Sequence, residues 1–412
     1  MTKFRILSLD GGGPWALVQV KTLQKIYGDK TPGHKVLKDF HLVAANSGGS
    51  LTLAGLIENR PLDEILSDYF LNEKNRKSVF REVDLWPRIR DGAFYLLGIG
   101  PKYSTQAKLK ALNRILSVNG NRLLSEIHEK IKQEEGSCPH FVICAFDYDR
   151  KRAMFFRSQL DSKAQSSAKA PASSLIDAVH ASSNAPITFF DEPAEAIERR
   201  FWDGAIAGHN NPVLVAVVEA LAAGNRSEDI QILSIGTGSV RRPDPTKDVA
   251  DPFGLVPKPK EIFFFRHARM IFNNIGELAG SILDDPPDVA TFVAYVTLGQ
   301  PLPTPGSVSE DPSSVVRMNP MIQPWLGDFK GKKAWLLPAK LDRRAFNDIA
   351  DMPVDALEQS QVRKIAQMCD LWLDDDLPNQ PIRTSSQDYR CEIGQPSFSK
   401  AHEAWVALTK TG

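Results

Sequence analysis

A serine hemmed in by very small neighbours is the residue in this chain best suited to covalent chemistry. Ser47 lies in Ala45-Asn46-Ser47-Gly48-Gly49, after the apolar run Phe40-His41-Leu42-Val43-Ala44 and before Ser50-Leu51-Thr52-Leu53-Ala54-Gly55-Leu56-Ile57. A buried strand that turns sharply into a helix exposes the corner side chain and leaves room only for tiny residues two positions to either side. Ala45 and Gly49 meet that requirement. The helix N-terminus behind Ser47 would also favour negative charge developing there. An ordinary βα turn can carry the same glycines, so the serine gains meaning from two further features. Gly11-Gly12-Gly13 offers consecutive backbone N–H groups able to converge on an anion. Asp203, in Phe201-Trp202-Asp203-Gly204-Ala205, supplies a carboxylate at the end of another strand or turn, although alone it also fits a turn-capping aspartate. A nucleophile, an oxyanion hole and a proton acceptor are the parts that acyl transfer needs.

The elements that must bring these residues together follow from the apolar pattern. Phe4-Arg5-Ile6-Leu7-Ser8-Leu9 reads as a short strand ending at Asp10 and the three glycines, with Pro14 at a first helical position and a helix over 16–27. With the strand and helix around Ser47, this is a parallel βαβ start, the mark of an α/β sheet covered by helices on both faces. Helices are predicted over 61–70, 103–116 and 122–133, and a mixed aromatic and basic cap or lid over 80–102. His140-Phe141-Val142-Ile143-Cys144-Ala145-Phe146 and Ala153-Met154-Phe155-Phe156 form a hairpin across Asp147-Tyr148-Asp149. A Ser/Ala-rich loop at 161–173 precedes a helix over 174–182. A helix over 212–223 precedes the buried strand Ile230-Gln231-Ile232-Leu233-Ser234-Ile235, which ends at Gly236-Thr237-Gly238. Residues 240–260 read as an exposed excursion and 261–412 as a mostly helical portion, interrupted at 301–314 and 377–389. The organisation is a core over 1–250 and a helical C-terminal portion over 251–412 that packs on it. In such sheets the functional residues gather beyond the carboxyl ends of the strands.

Composition narrows the function classes. The 412 residues carry 50 Lys and Arg against 50 Asp and Glu, so no broad field attracts a nucleic acid polymer or an anionic membrane. No apolar run reaches the roughly 18 residues that a membrane span needs, and the start lacks a secretory pattern, so a cytoplasmic location is expected. Cys138, Cys144, Cys369 and Cys391 lack metal-ligand spacing and read as reduced structural thiols. No metal or cofactor is called for.

In its motifs and their order the chain resembles the patatin-like phospholipase family. Asp10-Gly11-Gly12-Gly13, Ala45-Asn46-Ser47-Gly48-Gly49 and Asp203-Gly204-Ala205 are similar to its glycine loop, its Gly-x-Ser-x-Gly elbow and its Asp-Gly-(Gly/Ala) motif. Ala181-Ser182-Ser183-Asn184-Ala185-Pro186, Asn210-Asn211-Pro212 and Leu233-Ser234-Ile235-Gly236-Thr237-Gly238 are family-like too, with a weaker extension to Val316-Arg317-Met318-Asn319 and 352–373. The resemblance implies a three-layer α/β sandwich with a mainly parallel central sheet. It also implies a lipid acyl hydrolase of the phospholipase A or lysophospholipase type. Ser47 would be the nucleophile and Asp203 its base, with no histidine between them. Gly11, Gly12 and Gly13 would hold the oxyanion, and a phospholipid or other acyl-ester lipid would be the substrate, met in peripheral contact with a membrane. Pro14-Trp15-Ala16 departs from the family, which follows its glycines with a basic residue and a further glycine. Ala45 replaces the first elbow glycine.

Other readings stand beside this one. Trp15 and Ala16 would also suit a catalytically weak lipid-binding or storage protein on the same fold. The resemblance further admits a bacterial defence effector whose lipase waits for a cyclic-nucleotide activator. Gly11-x-Gly13-x-x-Ala16 matches a dinucleotide fingerprint, but Asp39 precedes the second strand where an acidic residue should follow it. His209 could pair with a serine, yet beside Asn210-Asn211-Pro212 it reads better as a hydrogen-bonding loop residue. Gly236-Thr237-Gly238 reads as a tight corner near the site, and Asp10 as a brace for the glycine loop. Phe263 and Phe264 with Lys258, Lys260, Arg266 and Arg269 could form a membrane-facing surface, or the phenylalanines could be core.

Overall fold

Strands whose residues are apolar on both sides must be covered on both sides, and this chain builds its centre from such strands. The computed structural model describes residues 3–83, 101–158, 172–186, 189–243, 249–256, 286–302, 308–309, 314–338, 340–382 and 392–410. Most of the expected lid, most of the Ser/Ala-rich loop, Cys391 and the aromatic-basic cluster around Phe263 and Phe264 lie outside them.

The strands, in chain order, are β1 (Phe4–Leu9), β2 (Leu42–Ala45), β3 (His140–Asp147), β4 (Arg152–Arg157), β5 (Ala194–Ala196), β6 (Arg199–Asp203), β7 (Ile230–Ile235), β8 (Ser239–Val240), β9 (Val308–Ser309) and β10 (Val315–Met318). A short strand β11 (Met321–Ile322) and a hairpin of β12 (Trp325–Phe329) and β13 (Lys332–Leu336) follow. The helices used below are α1 (Leu17–Tyr27), α2 (Gly33–Leu37), α3 (Gly48–Ile57), α4 (Leu62–Glu64), α5 (Glu73–Val79), α6 (Thr105–Ile115), α7 (Leu124–Glu135), α8 (Leu175–Ser182), α9 (Val213–Ala222), α10 (Pro286–Thr297), α11 (Arg343–Ala350), α12 (Gln359–Leu373) and α13 (Phe398–Lys410). The helix expected over 61–70 is three residues of α4 running into a π-helix, Ile65–Leu71.

The central sheet runs β10-β7-β1-β2-β3-β6-β5, with β4 also on β3. From β10 to β3 every pairing is parallel; β4, β5 and β6 add the antiparallel pairings. Alternate residues face opposite layers. Leu7, Leu9, Val43 and Ala45 pack with α1, α3 and α12, while Ile6, Leu42, Ala44, Val142 and Cys144 pack with α9 and α10. This is the three-layer α/β arrangement.

Among the described residues, the region beyond residue 250 holds α10 to α13 and also adds a strand to the central sheet. β10 pairs with β7 from Val315↔Ile232 to Met318↔Ile235. A four-residue strand reading Val-Val-Arg-Met carries no period long enough to separate it from a helix. α13 returns to the opposite end of the sheet, where Trp405 stacks on Phe40 and the carbonyls of Thr409 and Leu408 accept from Arg5 and Gln231.

Two register facts position the site. Met318, Ile235, Leu9, Ala45 and Ile143 form one row across the parallel strands. Asn319, Gly236, Asp10 and Asn46 therefore emerge together just past the carboxyl ends. The second fact concerns β3. Val142 and Ile143 pair with β2 and β4, whereas Ala145 to Asp147 pair with β6 and β4. A strand has two edges, so β2 and β6 share one edge of β3 and approach each other end to end. Ala45 stops opposite Ile143 and Asp203 stops opposite Ala145.

Candidate active site

Ser47 sits at the meeting point of those two strand ends. Its φ of 48° and ψ of −119° place it outside the regions open to most residues, as a sharp strand-to-helix corner demands. It is partly exposed, while Asn46 and Gly48 on either side are buried. The corner closes because Gly49 carries no side chain: a Cβ there would lie 2.4 Å from the Leu9 carbonyl oxygen and 2.7 Å from that of Asp10. The Ser50 hydroxyl donates to the Ser47 carbonyl at 2.6 Å, fixing the first turn of α3.

Asp203 is buried at the end of β6. Its Oδ1 accepts from the Asn46 side-chain amide at 3.0 Å and from the Ala205 N–H at 3.0 Å. Oδ2 is buried and accepts no hydrogen bond of ordinary geometry, which leaves it as the oxygen available to the Ser47 hydroxyl. Burial pushes the Asp203 carboxyl above its usual range. The Ala205 N–H, the Ser47 and Asn46 side chains and the Lys108 charge oppose that rise without cancelling it. A carboxylate of raised proton affinity is a better base than an exposed one.

The segment Ser182-Ser183-Asn184, at the C-terminal end of α8, supports both residues through the main chain. The Ser47 N–H donates to Ser182 Oγ at 2.9 Å and the Asp203 N–H to the Asn184 carbonyl at 3.0 Å. Nothing in residue type marks Ser182 and Asn46 as supports. Small polar residues at strand and helix ends are too common to mark a support.

The glycine loop lies against the serine, since a Cβ on Gly11 would meet Ser47 Cβ at 3.1 Å and Asn210 Oδ1 at 2.1 Å. The Gly11 N–H donates to the Asn210 carbonyl at 2.8 Å, so it is not a free oxyanion donor. Gly12 and Gly13, both partly exposed, remain. Asp10 turns away from the serine. Its carboxylate accepts from Arg317 at 2.6 Å, and Arg317 also donates to Ser234 at 2.8 Å. Thr237 donates its hydroxyl to the Gly11 carbonyl at 2.8 Å, and the Gly238 N–H donates to Asn319 at 2.6 Å.

The remaining candidates fall outside the chemistry. His209 packs its ring on Phe155 with centroids 5.2 Å apart and bonds neither Ser47 nor Asp203. Trp15 is buried with its ring near Gly238. Asp39 acts on the Tyr27 hydroxyl, whose proton affinity burial and that neighbour raise. Cys138, Cys144 and Cys369 are free thiols. Among the described residues, no cluster of His, Cys, Asp and Glu side chains is arranged to hold a metal ion, and no helix is long and apolar enough to cross a membrane.

Compared with known families, the chain matches the one described as Patatin-like phospholipase over residues 7–217. No curated protein matches it. Among solved structures it is similar to VipD from Legionella pneumophila, at 10% identity and a TM-score of 0.32, covering 90% of this chain and 67% of that one. It is also similar to human GIVD cytosolic phospholipase A2 in complex with methyl gamma-linolenyl fluorophosphonate and terbium chloride, at 12% identity and a TM-score of 0.41. That match covers all of this chain, which spans 60% of the human one.

Proposed function

The chain belongs to the patatin-like phospholipase family, a family of lipid acyl hydrolases, and from that premise we propose that it cleaves fatty-acyl esters of phospholipids or lysophospholipids through a Ser47–Asp203 dyad. One observation carries the reading: β2 and β6 deliver Ser47 and Asp203 to the same edge of β3, with Asp203 Oδ2 unengaged.

In this reaction the Ser47 hydroxyl oxygen attacks the acyl carbonyl carbon while its proton passes to Asp203. The carbonyl oxygen gains the negative charge of the tetrahedral intermediate. The Gly12 and Gly13 N–H groups receive it, together with the N–H of Gly48 at the start of α3, the residue after the nucleophile. Collapse of the intermediate breaks the ester C–O bond, and Asp203 returns the proton to the departing alcohol. Water then gives its proton to Asp203 and attacks the acyl-serine, releasing the fatty acid and restoring Ser47.

The test compares lipids in cells expressing the wild type and Ser47→Ala. Accumulation of free fatty acid and lysophospholipid with the wild type alone supports the proposal. Identical lipid profiles, together with no hydrolysis of phospholipid vesicles by the purified wild type, reject it.

A further inference from the structure

Lys108, in the first turn of α6, is fully buried. Its Nζ donates to the His180 carbonyl at 2.8 Å and to Ser183 Oγ at 3.4 Å, and lies 4.4 Å from the centre of the Phe190 ring. The Ser183 hydroxyl gives its own hydrogen to the Val179 carbonyl at 2.7 Å, so it meets Nζ with a lone pair. A carbonyl, a hydroxyl lone pair and an aromatic face all call for positive N–H groups, which is the environment of an ammonium. The two oxygens belong to the last turn of α8, where unpaired carbonyls and the helix dipole favour a cation.

That turn also holds the reacting residues. Within 180–184, His180 and Ser183 accept from Lys108, Ser182 accepts the Ser47 N–H, and Asn184 accepts the Asp203 N–H. We propose that Lys108 is a positioning residue for the dyad: it ties α6 to the turn that holds Ser47 and Asp203 by their main chains, and it sets a positive charge behind the base. The proposal rests on the hydrolase reading above.

The electrostatics agree in sign. Burial is the largest influence on both groups and carries the net shift, pushing the Lys108 ammonium well down and the Asp203 carboxyl up. Each partner's charge opposes that, Asp203 raising the proton affinity of Lys108 and Lys108 lowering that of Asp203. The other titratable groups facing the pair are His180 on α8, pushed far down by burial and then by Lys108, and Cys144 on β3, pushed up by burial and then by Asp203. Neither of those shifts favours a charged side chain.

A general base must be unprotonated, so activity rises with pH through the base's pKa. Removing a neighbouring positive charge raises that pKa, and the acid limb of kcat/KM moves to higher pH. Lys108→Met is expected to show this shift, with kcat down about 10–100-fold and KM little changed. Lys110→Met, on the exposed side of the same helix, should keep the wild-type profile. A folded Lys108→Met protein with an unmoved acid limb overturns the proposal. A second measurement leaves Lys108 in place. In protein labelled with 15N-lysine, the buried ammonium signal should move as Asp203 titrates and stop moving in Asp203→Asn. A lysine spectrum indifferent to Asp203 also overturns the proposal, whether or not Lys108→Met folds. Absence of any Ser47-dependent hydrolysis in the wild type would instead reject the hydrolase reading, while the lysine spectrum would still report on the pair.

Discussion

Asn46 and Asp203, 157 positions apart in the chain, are joined by a 3.0 Å hydrogen bond from the Asn46 side-chain amide to Asp203 Oδ1. Asn46 is the residue immediately before the serine, so this bond sets the carboxylate relative to the corner that carries Ser47. It also uses up Oδ1, so that Oδ2 is the oxygen left for proton transfer.

Replacing Asn46 with Ala removes a hydrogen bond to a charged group, worth roughly 1.5–3 kcal/mol. Hydrolysis of a soluble short-chain ester should then lose about 10–100-fold in kcat/KM. The bond also lowers the proton affinity of Asp203, so the acid limb should move to higher pH. A variant that keeps the wild-type rate and profile would reduce Asn46 to a packing residue.

Asp203 should also be visible in stability. Burial raises its pKa in the folded protein, so the native state holds the proton more tightly than the unfolded chain does. Stability from this group is fullest below the ordinary carboxyl range and falls as pH rises through the raised folded value. Asp203→Asn removes that titration. The variant should melt above the wild type at neutral pH, and the difference should close in acid. Calorimetry across that range checks it, and a variant less stable at neutral pH would contradict it.

The corner at Ser47 makes a contrasting demand. Gly49→Ala drives a methyl group into the carbonyls of Leu9 and Asp10, backbone atoms held in the central sheet. Overpacking of this kind costs about 1–3 kcal/mol. Ser47→Ala adds no atom and should unfold close to the wild type in urea. Equal midpoints for Gly49→Ala and wild type would show that the corner has room to spare.

Asp10 and Arg317 form a buried ion pair whose side chains are each 3% exposed. Removing one partner strands a charge, at about 3–5 kcal/mol, whereas replacing both with apolar groups is far milder. Arg317→Met should therefore lower both the melting temperature and the hydrolysis rate. Asp10→Leu combined with Arg317→Met should recover part of the stability. Single variants as stable as the double would show that β10 does not support the glycine loop.

Much of this arrangement is legible in the residues themselves. Largely apolar runs mark β1, β2 and β7, and the small residues around Ser47 mark a corner because sterics allow little else. The use of Asp10 as a brace can be anticipated, but its partner cannot. Arg317 sits in a four-residue strand whose pattern does not identify it, and only the shared row of strand ends brings it to Asp10. Lys108 reads as an ordinary helical lysine until α6 is packed against α8. The Gly11 N–H reads as an oxyanion donor until Asn210, far along the chain, turns its carbonyl toward it.

Labelling with a fluorophosphonate probe, followed by mapping of the modified peptide by mass spectrometry, reads out the dyad itself, because the probe reacts with an activated serine. One adduct is expected, on Ser47, absent from Ser47→Ala and strongly slowed in Asp203→Asn. An unlabelled wild type, or labelling of Ser47 at an unchanged rate in Asp203→Asn, would contradict it.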